Sequence, residues 1–146
     1  MHKLILLALL LSTSAFATTD KNGVTYDAKI IRVNDGDTVT IRAPWVPAPM
    51  KKEIAIRVYG VDTPEKGWRA KCESENQRAL GASLFTARMM DAAKHHQVVL
   101  MGWDKFGGRV LGDFILDGVS LRHALIEAGH AREYFGDAKQ SWCLNK

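Results

Sequence analysis

Two short acidic motifs are candidates for metal chemistry: residues 35–38 (DGDT) and residues 62–65 (DTPE). Hard cations such as calcium are bound by several oxygen ligands, which are carboxylates, backbone carbonyls and waters. If the first three predicted strands form one sheet, the end of the first hairpin and the end of the third strand can converge. Asp37 and Asp62 could then bind one ion.

Each of these acids also has a simpler explanation. Asp-Gly is an ordinary turn dipeptide, so Asp35 is interpreted as a turn residue. Asp37 is predicted to start a strand, where aspartate is unfavourable, and this is a hint of function. Glu65, taken alone, is most often a surface acid.

Two arginines could act on a phosphate. Arg57 precedes Asp62 by five residues on the same strand-to-loop path, and Arg109 follows a glycine turn after Lys105. A planar guanidinium can hold two phosphoryl oxygens and stabilise the charge that phosphodiester cleavage builds on them. Taken singly, an arginine is more often a solvated side chain or a member of a surface ion pair.

Aromatic residues near that turn and in the tail could stack on bases, which contributes about 1–3 kcal/mol per base in single-strand binding sites. For Trp103 the preferred interpretation is packing in the core or at its rim. For Tyr134 and Phe135, packing and base stacking explain the sequence equally well.

The elements that must position these residues follow from hydrophobic periodicity and turn signals. Three strands, a helix, two strands and a second helix point to the α+β class. A five-stranded barrel of the oligonucleotide-binding kind, with about two or three packed helices, would show this order, although periodicity alone does not decide it. The predicted strands are 24–33, 37–42, 53–59, 97–103 and 109–116, and the predicted helices run from Ser74 to about His95 and from Ser120 to Gly129.

Two further patterns refine this prediction. Residues 43–52 contain three prolines and are predicted to form a loop. In the first helix, apolar residues recur at three- and four-residue steps and predict its buried stripe. The stripe consists of Leu80, Leu84, Phe85, Met89 and Ala92.

The length of 146 residues fits one domain. Residues 1–17 are predicted to be an export signal, because Lys3 precedes the apolar run 4–11 and residues 15–17 (AFA) fit a signal-peptidase site. The mature domain, residues 18–146, would then be periplasmic or secreted. The alternative is a buried N-terminal helix, which the polar residues that follow disfavour.

Cys72 and Cys143 are predicted to pair, because an exported chain enters an oxidising compartment. The alternative is two free thiols, and neither cysteine has the spacing of a zinc site. The formal net charge of +4 fits a polyanionic partner without establishing one.

Taken together, three separated motifs make the sequence resemble the staphylococcal nuclease (thermonuclease) family. They are residues 33–38 (VNDGDT), 57–65 (RVYGVDTPE) and 104–111 (DKFGGRVL), and the likeness spans about residues 24–135. The resemblance implies the same five-stranded barrel with packed helices.

The resemblance also implies a calcium site and a catalytic acid. Asp37 and Asp62 would bind one calcium ion through their carboxylates, with the carbonyl of Thr63 as a further ligand. Glu65 would orient or deprotonate the attacking water.

The same resemblance implies how the substrate is held. Arg57 and Arg109 would hold the scissile phosphate, while Lys105 and Tyr134 would contact the rest of the substrate. The reaction would be hydrolysis of DNA and RNA at the 5′-oxygen–phosphorus bond, leaving 3′-phosphate products with little sequence preference. No stable protein partner is evident, so a monomer is expected.

The sequence departs from the staphylococcal enzyme at the second glycine turn. Gly107 and Gly108 precede Arg109 where that enzyme has one glycine. Phe106 replaces a tyrosine that contacts nucleotide phosphate, so one hydroxyl contact is lost.

Two other functions are compatible with parts of this sequence. The first is a non-catalytic nucleic-acid-binding barrel, and the intact set of candidate site residues argues against it. The second is a calcium-stabilised exported protein with no role on nucleic acid, which leaves both arginines unexplained.

Overall fold

The computed structural model describes residues 23–143 of the chain. The predicted export signal, residues 1–17, lies outside this range. Within the described residues, no helix is long and apolar enough to cross a membrane.

The described residues form an α+β fold, as the sequence predicts. The predicted loop at residues 43–52 separates two strands, and a 3-10 helix, Gly67–Arg69, precedes the first α-helix. The strands are β1 (Val24–Asp27), β2 (Lys29–Asp35), β3 (Thr38–Arg42), β4 (Glu53–Val58), β5 (Val61–Asp62), β6 (His96–Trp103), β7 (Arg109–Leu116), β8 (Val119–Ser120) and β9 (Arg132–Glu133), and the α-helices are α1 (Glu73–Ala92) and α2 (Leu121–Glu127).

The main sheet contains seven strands in the order β1-β6-β7-β4-β3-β2, with β8 paired to β7. Its neighbouring strands are antiparallel except β4 and β7, which are parallel. A separate two-stranded sheet joins β5 to β9. The largest fully buried side chains of the core include Val39, Ile41, Ile56, Val58, Phe114, Leu121 and Leu125.

The predicted closed five-stranded barrel is not confirmed. Within residues 23–143 the edge strands β1 and β2 share no ladder, so the sheet is open. The predicted strand 24–33 is broken at Ala28, whose backbone N–H donates to the carbonyl of His96 over 2.8 Å. One half pairs with β6 and the other with β3. The two edge strands, β1 and β2, are separated by Ala28 alone. The sheet must therefore curl so that its two edges lie near each other, although they are not paired.

The first hairpin turns later than predicted. β2 continues to Asp35, which pairs with Thr38, and Gly36 and Asp37 form the turn. Helix α1 packs against this turn, and a Cβ on Gly36 would lie only 2.8 Å from the Cβ of Ala82. Asp37 is therefore a turn residue rather than the first residue of a strand.

The buried face of α1 also differs from the predicted stripe. Leu80 and Leu84 are 50% and 51% exposed, and Ala92 is exposed as well. Phe85 and Met89 do pack against the core. The helix turns mainly small side chains towards β2 and the first turn, since only small residues allow a close approach. Its buried residues are Glu75, Ala79, Ala82, Thr86 and Met90.

Candidate active site

Five predicted site residues line one cleft of about 720 Å³. The cleft lies beyond the end of β4, between the β6–β7 turn and the segment that follows β9. These residues come from distant parts of the sequence, so the fold brings them together. They are Arg57, Glu65, Lys105, Arg109 and Tyr134.

The parallel pairing of β4 with β7 positions both arginines. Ala55 pairs with Arg109, and Arg57 pairs with Leu111. Side chains alternate between the two faces of a strand, so Ala55 and Arg57 share a face with each other and with Arg109. The two guanidinium groups therefore reach the cleft from the same face of adjacent strands.

Asp37 is a buried carboxyl beside Arg57. Its Oδ2 lies 3.3 Å from Nη2 of Arg57, and its Oδ1 accepts a hydrogen bond from the hydroxyl of Thr38 at 2.9 Å. Burial raises the pKa of Asp37 to about 6, against the lowering effect of the Arg57 charge, and the neighbouring carboxyl of Asp35 raises it further. In the protein without a bound cation, the site therefore disfavours a negative charge on Asp37.

Asp35 is the last residue of β2 and not the turn residue that the sequence predicts. Its Oδ1 is buried and has no hydrogen-bond partner within residues 23–143. The carboxyl groups of Asp35 and Asp37 interact, so they repel each other when both are ionised, and a divalent cation removes that repulsion. The unsatisfied oxygen and the carboxyl pair therefore fit a cation site at the first turn.

Asp62 and Thr63 lie next to this turn. Both are buried, and Cγ2 of Thr63 is 3.5 Å from the position that a Cβ on Gly36 would occupy. Asp62 Oδ1 lies 2.7 Å from Nζ of Lys139, and its Oδ2 accepts the indole N–H of Trp142 at 2.9 Å. The first turn and the segment at residues 62–63 are therefore neighbours through Gly36 and Thr63.

Glu65 reaches the cleft from a loop that α1 holds in place. Its backbone N–H donates to Oε1 of Glu75 at 3.2 Å, and the backbone N–H of Lys71 donates to Oε2 of the same residue at 2.7 Å. The side chain of Glu65 is partly exposed, with Nη1 of Arg69 at 3.9 Å and Nζ of Lys139 at 3.8 Å. Sequence patterns did not single out Glu75, whose buried carboxylate fixes this loop.

The doubled glycine does not remove Arg109 from the cleft. Gly107 and Gly108 adopt left-handed conformations with φ of 71° and 69°, and the backbone N–H of Asp104 donates to the carbonyl of Arg109 at 3.0 Å. Nη2 of Arg109 lies 2.6 Å from Oδ2 of Asp104, a buried acid. This ion pair sets the direction of the guanidinium.

The aromatic residues differ in exposure. Trp103, predicted to pack in the core or at its rim, is instead 67% exposed and lines the cleft, and Phe106 is 78% exposed. Tyr134 is partly buried, and its ring centroid lies 5.5 Å from Nζ of Lys139. Phe135 is exposed and meets Tyr59 edge-on, with ring centroids 5.7 Å apart.

The predicted disulfide is present between Cys72 and Cys143. It joins the residue before α1 to the segment after β9, a sequence separation of 71. Glu75 lies close to both sulfur atoms, but bonded sulfurs do not act as thiolate ligands, so this group is not a metal site.

Two functional residues, Lys139 and Trp142, carry no signal in the sequence. Both belong to a short mixed tail without periodicity, and only the expected cysteine pairing connected that tail to the rest of the domain. The contact between Trp142 and Asp62 spans 80 positions, which no local pattern reports.

A comparison with curated proteins finds no significant match. The family model for staphylococcal nuclease homologues matches residues 55–144, more than half of the chain. The matched range contains both arginines, Asp62 and Glu65, and it includes the paired residues of β4 and β7 that position the arginines. The chain therefore belongs to the staphylococcal nuclease family, whose members are generally nucleases.

Proposed function

We propose that this protein is an exported, calcium-dependent nuclease that hydrolyses DNA and RNA and leaves 3′-phosphate products. One observation carries the proposal. A single cleft joins two arginines and Glu65, and it adjoins the buried carboxyl groups of Asp37 and Asp62. Export rests on the sequence of residues 1–17.

The donor set favours a hard cation. Asp37 and Asp62 would hold calcium through their carboxylates, with the backbone carbonyl of Thr63 as a further ligand. Calcium bound there would screen the negative charge of the phosphate and act as a Lewis acid. The buried Oδ1 of Asp35, which has no hydrogen-bond partner within residues 23–143, supports the assignment. A cation nearby would compensate the negative charge on this oxygen.

The two arginines stabilise charge on the phosphate. Each guanidinium is held by an acid, Arg57 by Asp37 and Arg109 by Asp104, so each is oriented before the substrate arrives. Preorganised donors of this kind lower the barrier because they need no rearrangement as charge develops.

Glu65 acts on the attacking water. Its side chain is partly exposed in the cleft, and Glu75 fixes its backbone. A carboxylate so placed orients the water or accepts its proton while the new oxygen–phosphorus bond forms. The bond between phosphorus and the 5′-oxygen breaks, and that oxygen takes a proton from bulk water, while Glu65 later releases the proton it accepted to solvent.

The rest of the substrate is held without base recognition. Lys105 supplies a positive charge, and Tyr134 with the exposed Trp103 and Phe106 offers stacking surfaces. Stacking tolerates any base because every base has a π face. We therefore expect a monomeric enzyme that cleaves with little sequence preference.

Digestion of single-stranded DNA by the purified mature chain tests the proposal. Cleavage with calcium, abolished by a calcium chelator and restored by excess calcium, is the expected result. Cleavage that resists the chelator would refute the metal assignment. Tight binding of DNA without cleavage would replace the proposal with a non-catalytic binding module.

A further inference from the structure

The last described residues lie against the candidate calcium site. Trp142 is only 6% exposed, and its indole N–H donates to Oδ2 of Asp62 at 2.9 Å. The other carboxylate oxygen of Asp62, Oδ1, faces Lys139, which lines the cleft. The indole thus holds one oxygen of Asp62 and leaves the other to pair with Lys139.

Arg132 and the disulfide hold Trp142 in this position. The guanidinium carbon of Arg132 lies 3.7 Å from the centroid of the indole ring. Nη1 of Arg132 also donates to the backbone carbonyls of Gln140 and Ser141, at 3.3 and 3.0 Å. Cys143, the next residue, is bonded to Cys72.

We propose that Trp142 is a positioning residue for Asp62, and that the disulfide to Cys143 keeps its indole at that carboxylate. The inference rests on the proposed calcium site and adds the C-terminal segment to it. A ligating carboxylate that loses its hydrogen-bond partner can rotate, and removal of such partners typically costs about 10–100-fold in metal affinity.

Calcium affinity measured by titration calorimetry tests this role without any assay of cleavage. Trp142→Phe keeps most of the ring and its contact with Arg132 but removes the N–H donor. We expect its dissociation constant for calcium to rise about 10–100-fold. Trp45→Phe is the matched control, because Trp45 stacks on Tyr26, 4.7 Å between centroids, and its affinity should equal that of the parent.

The disulfide is tested by a double-mutant cycle. A variant with Cys72→Ser and Cys143→Ser should also bind calcium more weakly. Adding Trp142→Phe to that variant should weaken binding little further, because both changes remove the same hydrogen bond. Fully additive effects, or parental affinity without the disulfide, would show that the bridge does not act through Trp142.

A measurement on the unsubstituted protein avoids any failure of the variants to fold. In chain labelled with nitrogen-15, the indole N–H resonance of Trp142 should exchange slowly with water and shift when calcium is added. An indole resonance that exchanges rapidly and does not respond would overturn the proposal.

The outcomes separate this inference from the proposed function. Parental calcium affinity in folded Trp142→Phe overturns the positioning role and leaves the nuclease proposal standing. Absence of calcium binding by the unsubstituted protein overturns the calcium site itself, and the positioning role with it.

Discussion

Nζ of Lys139 lies 2.7 Å from Oδ1 of Asp62 and 3.8 Å from Oε1 of Glu65. Burial acts to lower the pKa of Lys139, but the hydrogen bond and charge of Asp62, with the charge of Glu65, outweigh it, so the pKa lies above its usual value. The ammonium is therefore charged at neutral pH. It neutralises the same two carboxylates to which we assign metal binding and water activation.

Lys139→Gln should raise the affinity for calcium. A divalent cation at Asp62 must displace the ammonium or bind beside it, and either process costs electrostatic energy. We expect the dissociation constant to fall about threefold to tenfold, since one charge pair near a surface is worth about 1 kcal/mol. Calorimetric titration measures it, with the exposed Lys51→Gln as control. Weaker binding by Lys139→Gln would mean that the lysine supports the site instead of competing for it.

Asp37→Asn should stabilise the calcium-free protein while it abolishes tight calcium binding. The pKa of Asp37 is about 6 in the folded chain, against a reference value of 3.8. The folded state therefore holds the proton more tightly, and the contribution of Asp37 to stability falls as pH rises from about 4 to 6.

Denaturant unfolding of calcium-free protein at several pH values measures this effect. Above the folded-state pKa, Asp37→Asn should increase the free energy of unfolding by about 1–3 kcal/mol. At a pH below 3.8 this gain should vanish. If the variant were less stable than the parent at neutral pH, the interactions of the ionised Asp37 carboxylate would stabilise the fold by more than the burial of its charge destabilises it.

Arg109→Ala should lower kcat/KM by at least about a hundredfold, because it removes a preorganised donor to the developing charge. Single-turnover cleavage of a labelled oligonucleotide measures it. Arg32→Ala is the control, since Arg32 forms an exposed ion pair with Glu53. An active Arg109→Ala enzyme would mean that the turn at Gly107 and Gly108 directs the guanidinium away from the phosphate.

Loss of the disulfide should destabilise the domain. The bridge spans 71 positions. Closing a loop of this length lowers the conformational entropy of the unfolded chain, which stabilises the folded state by about 4 kcal/mol in the entropy model. Denaturant unfolding of the variant with both cysteines replaced by serine measures the loss. The mass of the intact protein should be two hydrogens below that of the reduced chain, and the fully reduced mass would contradict the bridge.

Features set by local sequence were predicted well. Ser120 caps α2 by accepting the backbone N–H of His123 at 3.1 Å, as its position before an amphipathic segment predicts. The β6–β7 turn forms at Gly107 and Gly108, where glycine tolerates positive φ.

Several features that depend on close approach between distant segments were not predicted. Hydrophobicity placed Leu80 and Leu84 in the buried stripe of α1, but the helix lies too close to the first turn for large side chains. The predicted first strand breaks at Ala28 because its two halves pair with different strands, β6 and β3, at opposite edges of the sheet. The contact of Trp142 depends on Asp62, a partner 80 positions away.

The central claim is that this cleft holds a calcium-assisted nuclease site. The rate at which Glu65→Gln cleaves single-stranded DNA tests this claim most directly. Glutamine keeps the shape of the side chain but cannot accept a proton, so we expect the rate at saturating calcium to fall at least about a hundredfold. Calcium affinity and thermal stability should stay close to parental values, and Glu53→Gln should cleave normally. Cleavage by folded Glu65→Gln at the parental rate would contradict the account.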